Sequence, residues 1–168
     1  MRWPGHVRAG ATQDMTEHVD VPATICDMLS LDPLPAMHGR TLRPYLERGR
    51  IASPLDHVFS EYLENEEAYI RTGRWKFIFC SGKRRRTDGY ETGDPTPGRY
   101  RRLFDLEKDP GEFTDVAAKH PKVVATLEGL MLERFRATHP DRSAEPQRLS
   151  RAEALEFYLR PRDIDQAQ

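Results

Sequence analysis

EAYIRTGRWKFIFC, Glu67 to Cys80, sets two short runs rich in β-branched and aromatic side chains on either side of Gly73-Arg74. A two-residue break between such runs suits a tight antiparallel hairpin. A run of the same kind, HVFSEY from His57, precedes them, and RLFDL, Arg102 to Leu106, follows. The four predict a small antiparallel sheet of about four strands. Between Ser81 and Arg102 lies a polar stretch with KRRR, three glycines after Gly82 and two prolines, which reads as a long connection between neighbouring strands.

Outward from the sheet the period changes. After the turn-rich DPGEFTDVAAKHP, Val123, Val124, Leu127, Leu130, Met131 and Phe135 recur at helical spacing, predicting a covering helix from Pro121 to about Ala137. His139-Pro140 breaks it, and Ser150-Arg-Ala-Glu153 is a capping-box pattern opening a short helix with Leu155, Tyr158 and Leu159 on one side. The last residues are expected to fray. On the other flank Asp20 is placed to cap a helix over about residues 21 to 30, with Pro22 in its first turn and Ile25, Met28 and Leu29 as an apolar stripe. Asp32-Pro33-Leu34-Pro35 stops it, Gly39 permits a turn, and TLRPYLERG predicts one or two helical turns around Leu42, Tyr45 and Leu46. The fold class is α+β.

A chain of 168 residues has the length of one domain, burying roughly 70% of its unfolded surface. With 26 basic and 27 acidic residues the formal charge is −1, so no global field points to nucleic acid or an anionic membrane, and no nucleic-acid partner is expected. No apolar run approaches the ~20 residues that span a bilayer. MRWPGHVRAG lacks the apolar middle of a secretory signal and reads as an entry in mid-fold. Cys26 and Cys80 are too few for a disulfide framework, and reduced thiols are the default, with a single bridge left open.

Cys80 is the one candidate nucleophile. FCSGKRRRT, Phe79 to Thr87, sets a cysteine after a strand and Arg86 and Thr87 beyond it, imitating a phosphate-binding catalytic loop. Such a loop needs a following helix whose N-terminus lowers the thiol pKa, and TDGYETGDPTPG cannot begin one. Cys80 as the apolar end of a half-buried strand is the stronger reading. Lys83 to Arg86 reads as a solvated loop and Glu64, Glu66 and Glu67 as a solvated turn. The six histidines form no pair at helical ligand spacing, so no metal residues are assigned in this chain.

Several pieces in order resemble the C-terminal part of the sulfatase family, within the alkaline-phosphatase-like superfamily. RWPGHVRAG at 2–10 is similar to that family's closing core strand and W-P-G turn, and HVDVPATICDMLSL at 18–31 to the D-x-x-P-T helix after it. MHGRTLRPYLERG at 37–49 resembles the G-[RK]-S-L-x-P-x-L segment, with Thr41 in place of serine. VFSEY and IRTGRWKFI resemble the later strands, and LFDLEKDPGEFTDVA at 103–117 the L-[YF]-D-L-x-x-D-P-x-E exit. The resemblance implies a small antiparallel sheet with its covering C-terminal helix, preceded by the last strand and helix of an alkaline-phosphatase-like α/β domain. The expected division is 1–52 for the terminal piece of that large domain, 53–138 for the sheet subdomain and 139–168 for a tail.

Intact members use calcium and a formylglycine residue, whose motifs lie upstream of the W-P-G turn. Cys80 does not match them, because Gly82 stands where C-x-P-x-R or C-x-A-x-R needs proline or alanine. No catalytic residue and no cofactor is therefore assigned to this chain. His38 and Arg40, beside Gly39, are the candidates for the rim of a substrate pocket. The implied partner is the missing N-terminal sulfatase domain, or another protein covering residues 1–50, where apolar surface is expected to be exposed. The ancestral activity implied is sulfate-ester hydrolysis, with a stand-alone binding module, a partner subunit of a split sulfatase and a Cys80 phosphatase as rivals. The compartment stays open, though the resemblance implies an exported parent, periplasmic or secreted.

Overall fold

The computed structural model describes residues 2–7, 9–11, 13–48, 55–63, 66–82, 99–139 and 145–160. It divides into two units, residues 1–58 and 59–168. The polar connection at 83–98, Glu64 and the residues after 160 lie outside the described residues.

The four predicted strands form one sheet in chain order: β1 (His57–Tyr62), β2 (Glu67–Thr72), β3 (Trp75–Cys80) and β4 (Tyr100–Asp105). β2 and β3 pair antiparallel with Ile70 opposite Phe77 and Ala68 opposite Phe79, and β3 pairs antiparallel with β4, setting Phe77 opposite Leu103. Side chains alternate along a strand, so this register puts Ala68, Ile70, Phe77, Phe79 and Leu103 on one face. All five are buried. Arg74, at the hairpin tip, fixes the far edge: its guanidinium donates to both Asp105 carboxylate oxygens at 3.1 and 2.8 Å, holding that carboxyl below its usual range.

α1 (Asp20–Met28) and α2 (Arg43–Arg48) belong to the first unit; α3 (Pro121–Thr138) lays Leu127, Met131, Leu132 and Phe135 on the sheet's apolar face. α4 (Arg151–Leu159) opens with the predicted capping box, Ser150 N–H donating to the Glu153 carboxylate at 2.8 Å. More than one side of α4 is covered: Ala152, Ala154, Leu155, Glu156, Tyr158 and Leu159 are all buried and most join the core. Glu128 of α3 and Glu156 of α4, both buried, accept from Arg101 and Arg99 of the β4 segment. A third carboxylate, Glu145, accepts from Arg136 at 2.8 and 2.5 Å and from the Tyr158 hydroxyl at 2.7 Å. Arg136 first and Tyr158 second pull its pKa down to about 2.

In the first unit, α1 (Asp20–Met28) starts one residue earlier than a cap at Asp20 would have it: Val19 holds the N-cap position without a side-chain bond. Asp20 lies within the first turn, buried, and its two carboxylate oxygens accept the main-chain N–H of Glu17 at 2.8 Å and of Arg40 at 3.0 Å. One turn on, the buried Thr24 hydroxyl donates to Asp20 O at 2.6 Å and accepts Leu42 N–H at 2.8 Å. Asp27 accepts the Thr41 hydroxyl at 2.6 Å and Arg43 at 3.2 Å. Residues 39–43 are thus a strap lashed along one face of α1, leading into α2 (Arg43–Arg48). Gly39 is required for the approach, since a Cβ there would lie 1.7 Å from the Val19 carbonyl oxygen. The strand expected ahead of α1 is not formed among the described residues. The W-P-G segment is instead a turn in which His6 and Val7 N–H donate to Trp3 O at 3.1 and 2.9 Å. A strand needs a neighbour for its ladder, and none lies beside residues 2–7 among the described residues.

Each unit holds one of the two tryptophans, Trp3 or Trp75, and so can be followed separately. In a Trp75→Phe background, Asp20→Ala should strand two partly buried donors and destabilise the first unit by about 1–3 kcal/mol in urea unfolding. An unchanged midpoint would show that the strap is not held by this carboxylate. For the second unit, Glu145→Gln in a Trp3→Phe background tests the lowered pKa. Because the folded value is depressed, the stability lost in the variant should be fully present in the parent above pH 4.5 and vanish as pH falls towards about 2.

Candidate functional site

The strap on α1 carries both rim candidates. His38 is exposed immediately before Gly39, and Arg40 is half-buried with its main chain tied to Asp20. Their positions are set by the Asp20, Thr24 and Asp27 side chains of α1 rather than by strand or helix of their own. Asp27 is itself held below the usual carboxylate range, chiefly by the Thr41 hydroxyl and then by Arg43. The sequence signal for this arrangement was present in the D-x-x-x-T spacing on one helix face, but only the fold shows which N–H groups the face receives.

Cys80 sits at the end of β3 as a buried thiol outside any disulfide. Burial pushes its thiol pKa up, and Glu67 and Glu66 add to the rise, outweighing the lowering influence of the Gly82 backbone and the Tyr100 side chain. A nucleophilic thiolate needs the opposite shift. The loop that would have to bind phosphate, from Lys83 to Thr87, lies outside the described residues. Glu66 and Glu67 are not a solvated turn: Glu66 is buried and accepts the Ser81 hydroxyl, while its carbonyl accepts Ser81 N–H at 3.0 Å. Glu67 accepts the Tyr100 hydroxyl at 2.5 Å across the strand between them. Burial, then Glu67, pushes that phenol up. Strand pairing brings Ser81 and Tyr100 to these carboxylates, a long-range effect that their local spacing does not carry.

Among the described residues no three histidine, cysteine, aspartate or glutamate side chains are grouped to hold a metal ion. The donor set present does not fit the calcium of intact relatives, and no step is assigned through it. No helix of the described residues is long and apolar enough to cross a membrane.

The other face of α1 has a different character. Val21, Ile25 and Leu29 recur every four residues and are exposed, with Leu31 and Leu34 exposed beyond the helix. Ile25, Met28 and Leu29 join Arg2, Trp3 and Val7 of the W-P-G turn in lining an open groove of 350 Å³. An apolar stripe at this spacing is the face a helix ordinarily buries.

No protein-family profile matches the chain. An N-acetylgalactosamine-6-O-sulfatase of Bacteroides thetaiotaomicron is 27% identical over 133 residues, covering 78% of this chain and 25% of that protein. Human arylsulfatase A is 30% identical over 148 residues, covering 77% of this chain and 28% of that protein. The chain thus spans about a quarter of the length of the curated relatives it matches. Among solved structures, a phosphonate monoester hydrolase from Silicibacter pomeroyi superposes with a TM-score of 0.64 at 21% identity, covering 90% of this chain and 32% of that one, a likeness of fold. With the predicted four-stranded sheet, helices and motif order all present, the chain belongs to the sulfatase family of the alkaline-phosphatase-like superfamily, as a C-terminal region of it.

Proposed function

We propose that this chain serves as the structural C-terminal part of a sulfuric ester hydrolase, silent in catalysis by itself, and that its first unit docks on the large domain lying upstream in intact relatives. The observation that carries this reading is the two-faced α1. Its polar face is consumed by the strap, while Val21, Ile25 and Leu29 face solvent. Such a stripe favours burial by roughly 25 cal/mol for each Å² of apolar surface removed from water. The relatives are about four times as long as the matched region, so a body large enough to cover it exists in them. The raised Cys80 pKa and the mismatch at Gly82 support silence of this chain alone. His38 and Arg40, carried on a braced strap, would then contribute cationic and hydrogen-bonding groups at the pocket mouth. Which sulfate ester is cleaved, and whether cysteine or serine is the formylglycine precursor, belong to the upstream part.

The chain alone should leave aryl sulfate and aryl phosphonate untouched. Joined to the upstream three-quarters of a sulfatase relative in place of that protein's own C-terminal region, it should support sulfate-ester hydrolysis. Val21→Ser, Ile25→Ser and Leu29→Ser together should abolish that support while leaving the isolated chain folded. Turnover by the isolated chain, lost on Cys80→Ser, would instead make it a thiol phosphatase-like enzyme. A stable partner other than a sulfatase part would favour the binding module.

In the same joined protein, His38→Ala with Arg40→Ala should raise KM for a sulfated sugar several-fold with kcat unchanged, the signature of lost uniform binding. An unaltered KM and substrate preference would remove both residues from the rim.

A further inference from the structure

Among the described residues, the most exposed large apolar side chain is Phe113, 91% exposed in the turn between β4 and α3. A lone exposed apolar residue is ordinary. This one is held out by a braced turn: Asp109 N–H donates to Asp105 O at 2.8 Å, Glu112 N–H to Asp109 O at 3.1 Å and Thr114 N–H to the Asp109 carboxylate at 2.7 Å. Glu112, with a φ of 59°, accepts Lys76 Nζ at 2.6 Å. The ring lies against Gly111, where an added Cβ would come within 2.2 Å of its Cε2. Little ordering entropy therefore opposes its burial by a partner.

The chain also carries a complement to that ring. The groove between the W-P-G turn and α1 has a volume of 350 Å³, and an apolar cavity of about 150 Å³ already accepts benzene. Charge matches as well as size. Residues 105–115 hold five carboxylates, Asp105, Glu107, Asp109, Glu112 and Asp115, against Lys108 within the turn and Arg74 and Lys76, which pair with Asp105 and Glu112 from the sheet, so acid remains in excess. Among the described residues, the charged residue lining the groove is Arg2. We propose that the chain self-associates head to tail, the Phe113 ring of one copy entering the groove formed by Trp3, Ile25 and Leu29 of a second, with Arg2 meeting the acidic turn. Ring and groove are different surfaces, so the contact is heterologous and builds rings or open chains rather than a two-fold dimer. The docking reading above covers the same groove with an upstream domain, so self-association is a property of this chain alone; its test uses that chain, and failure of docking to an upstream domain leaves it standing.

The test is sedimentation velocity over a concentration series, with circular dichroism confirming the fold of each variant. The native chain should sediment faster as concentration rises, less so at high salt. Phe113→Ser and Ile25→Glu, both at exposed positions, should each weaken self-association about tenfold or more, the loss of one buried aromatic or aliphatic contact. An equimolar mixture of the two variants should form a one-to-one complex, because one keeps the groove and the other keeps the ring. General stickiness of apolar surface would not produce that rescue. A native chain that stays monomeric, a Phe113→Ser variant that associates as before, or a mixture without rescue would each overturn the proposal.

Discussion

The buried carboxylate of Asp20 is the constraint on which the first unit depends. A carboxylate inside a fold must be satisfied at both oxygens, and here main-chain N–H groups of Glu17 and Arg40 do so from opposite sides in sequence. One side chain thereby joins the entry to α1 with a strap twenty residues later. Thr24 and Asp27 repeat the device one and two turns on, receiving Leu42 N–H and the Thr41 hydroxyl. Gly39 completes it by contributing no atoms where the strap crosses Val19. These polar bonds orient α1, and they leave its apolar stripe turned away from the strap that grips it.

The second unit is organised by the opposite kind of force. Its sheet buries one face of aromatic and aliphatic side chains under α3 and α4, with Phe77, Phe79, Ile70, Leu103, Met131, Leu155 and Leu159 fully enclosed. Around that core stand three arginine–carboxylate pairs, Arg99 with Glu156, Arg101 with Glu128 and Arg136 with Glu145. In each the carboxylate is the more buried partner. Such pairs contribute little net stability, yet breaking one leaves a buried charge alone; the first two join the residue before β4 to α4 and β4 itself to α3, and the third joins α3 to the segment before α4.

The residues that carry the family resemblance also have structural uses within this chain, since they build the strap and the hairpin. Cys80, the candidate nucleophile, is pushed away from the thiolate form by burial and neighbouring carboxylates.

The sequence by itself determined the elements: short runs of β-branched and aromatic residues set the strands, Gly73-Arg74 set the hairpin, and helical spacing and the Ser150 capping box set α3 and α4. These signals are local, written within a few residues, and so are readable without the fold. Motif order likewise disclosed the family. Only the tertiary structure decided that Asp20 captures the strap rather than capping its own helix, and that Glu66 and Glu67 receive the Ser81 and Tyr100 hydroxyls. It alone decided that α4 is part of the core and that Phe113 is presented on a braced turn. Each of these depends on groups brought together from distant positions in the chain, where the partner, and not the residue's own propensity, settles whether a polar group is satisfied or an apolar one covered.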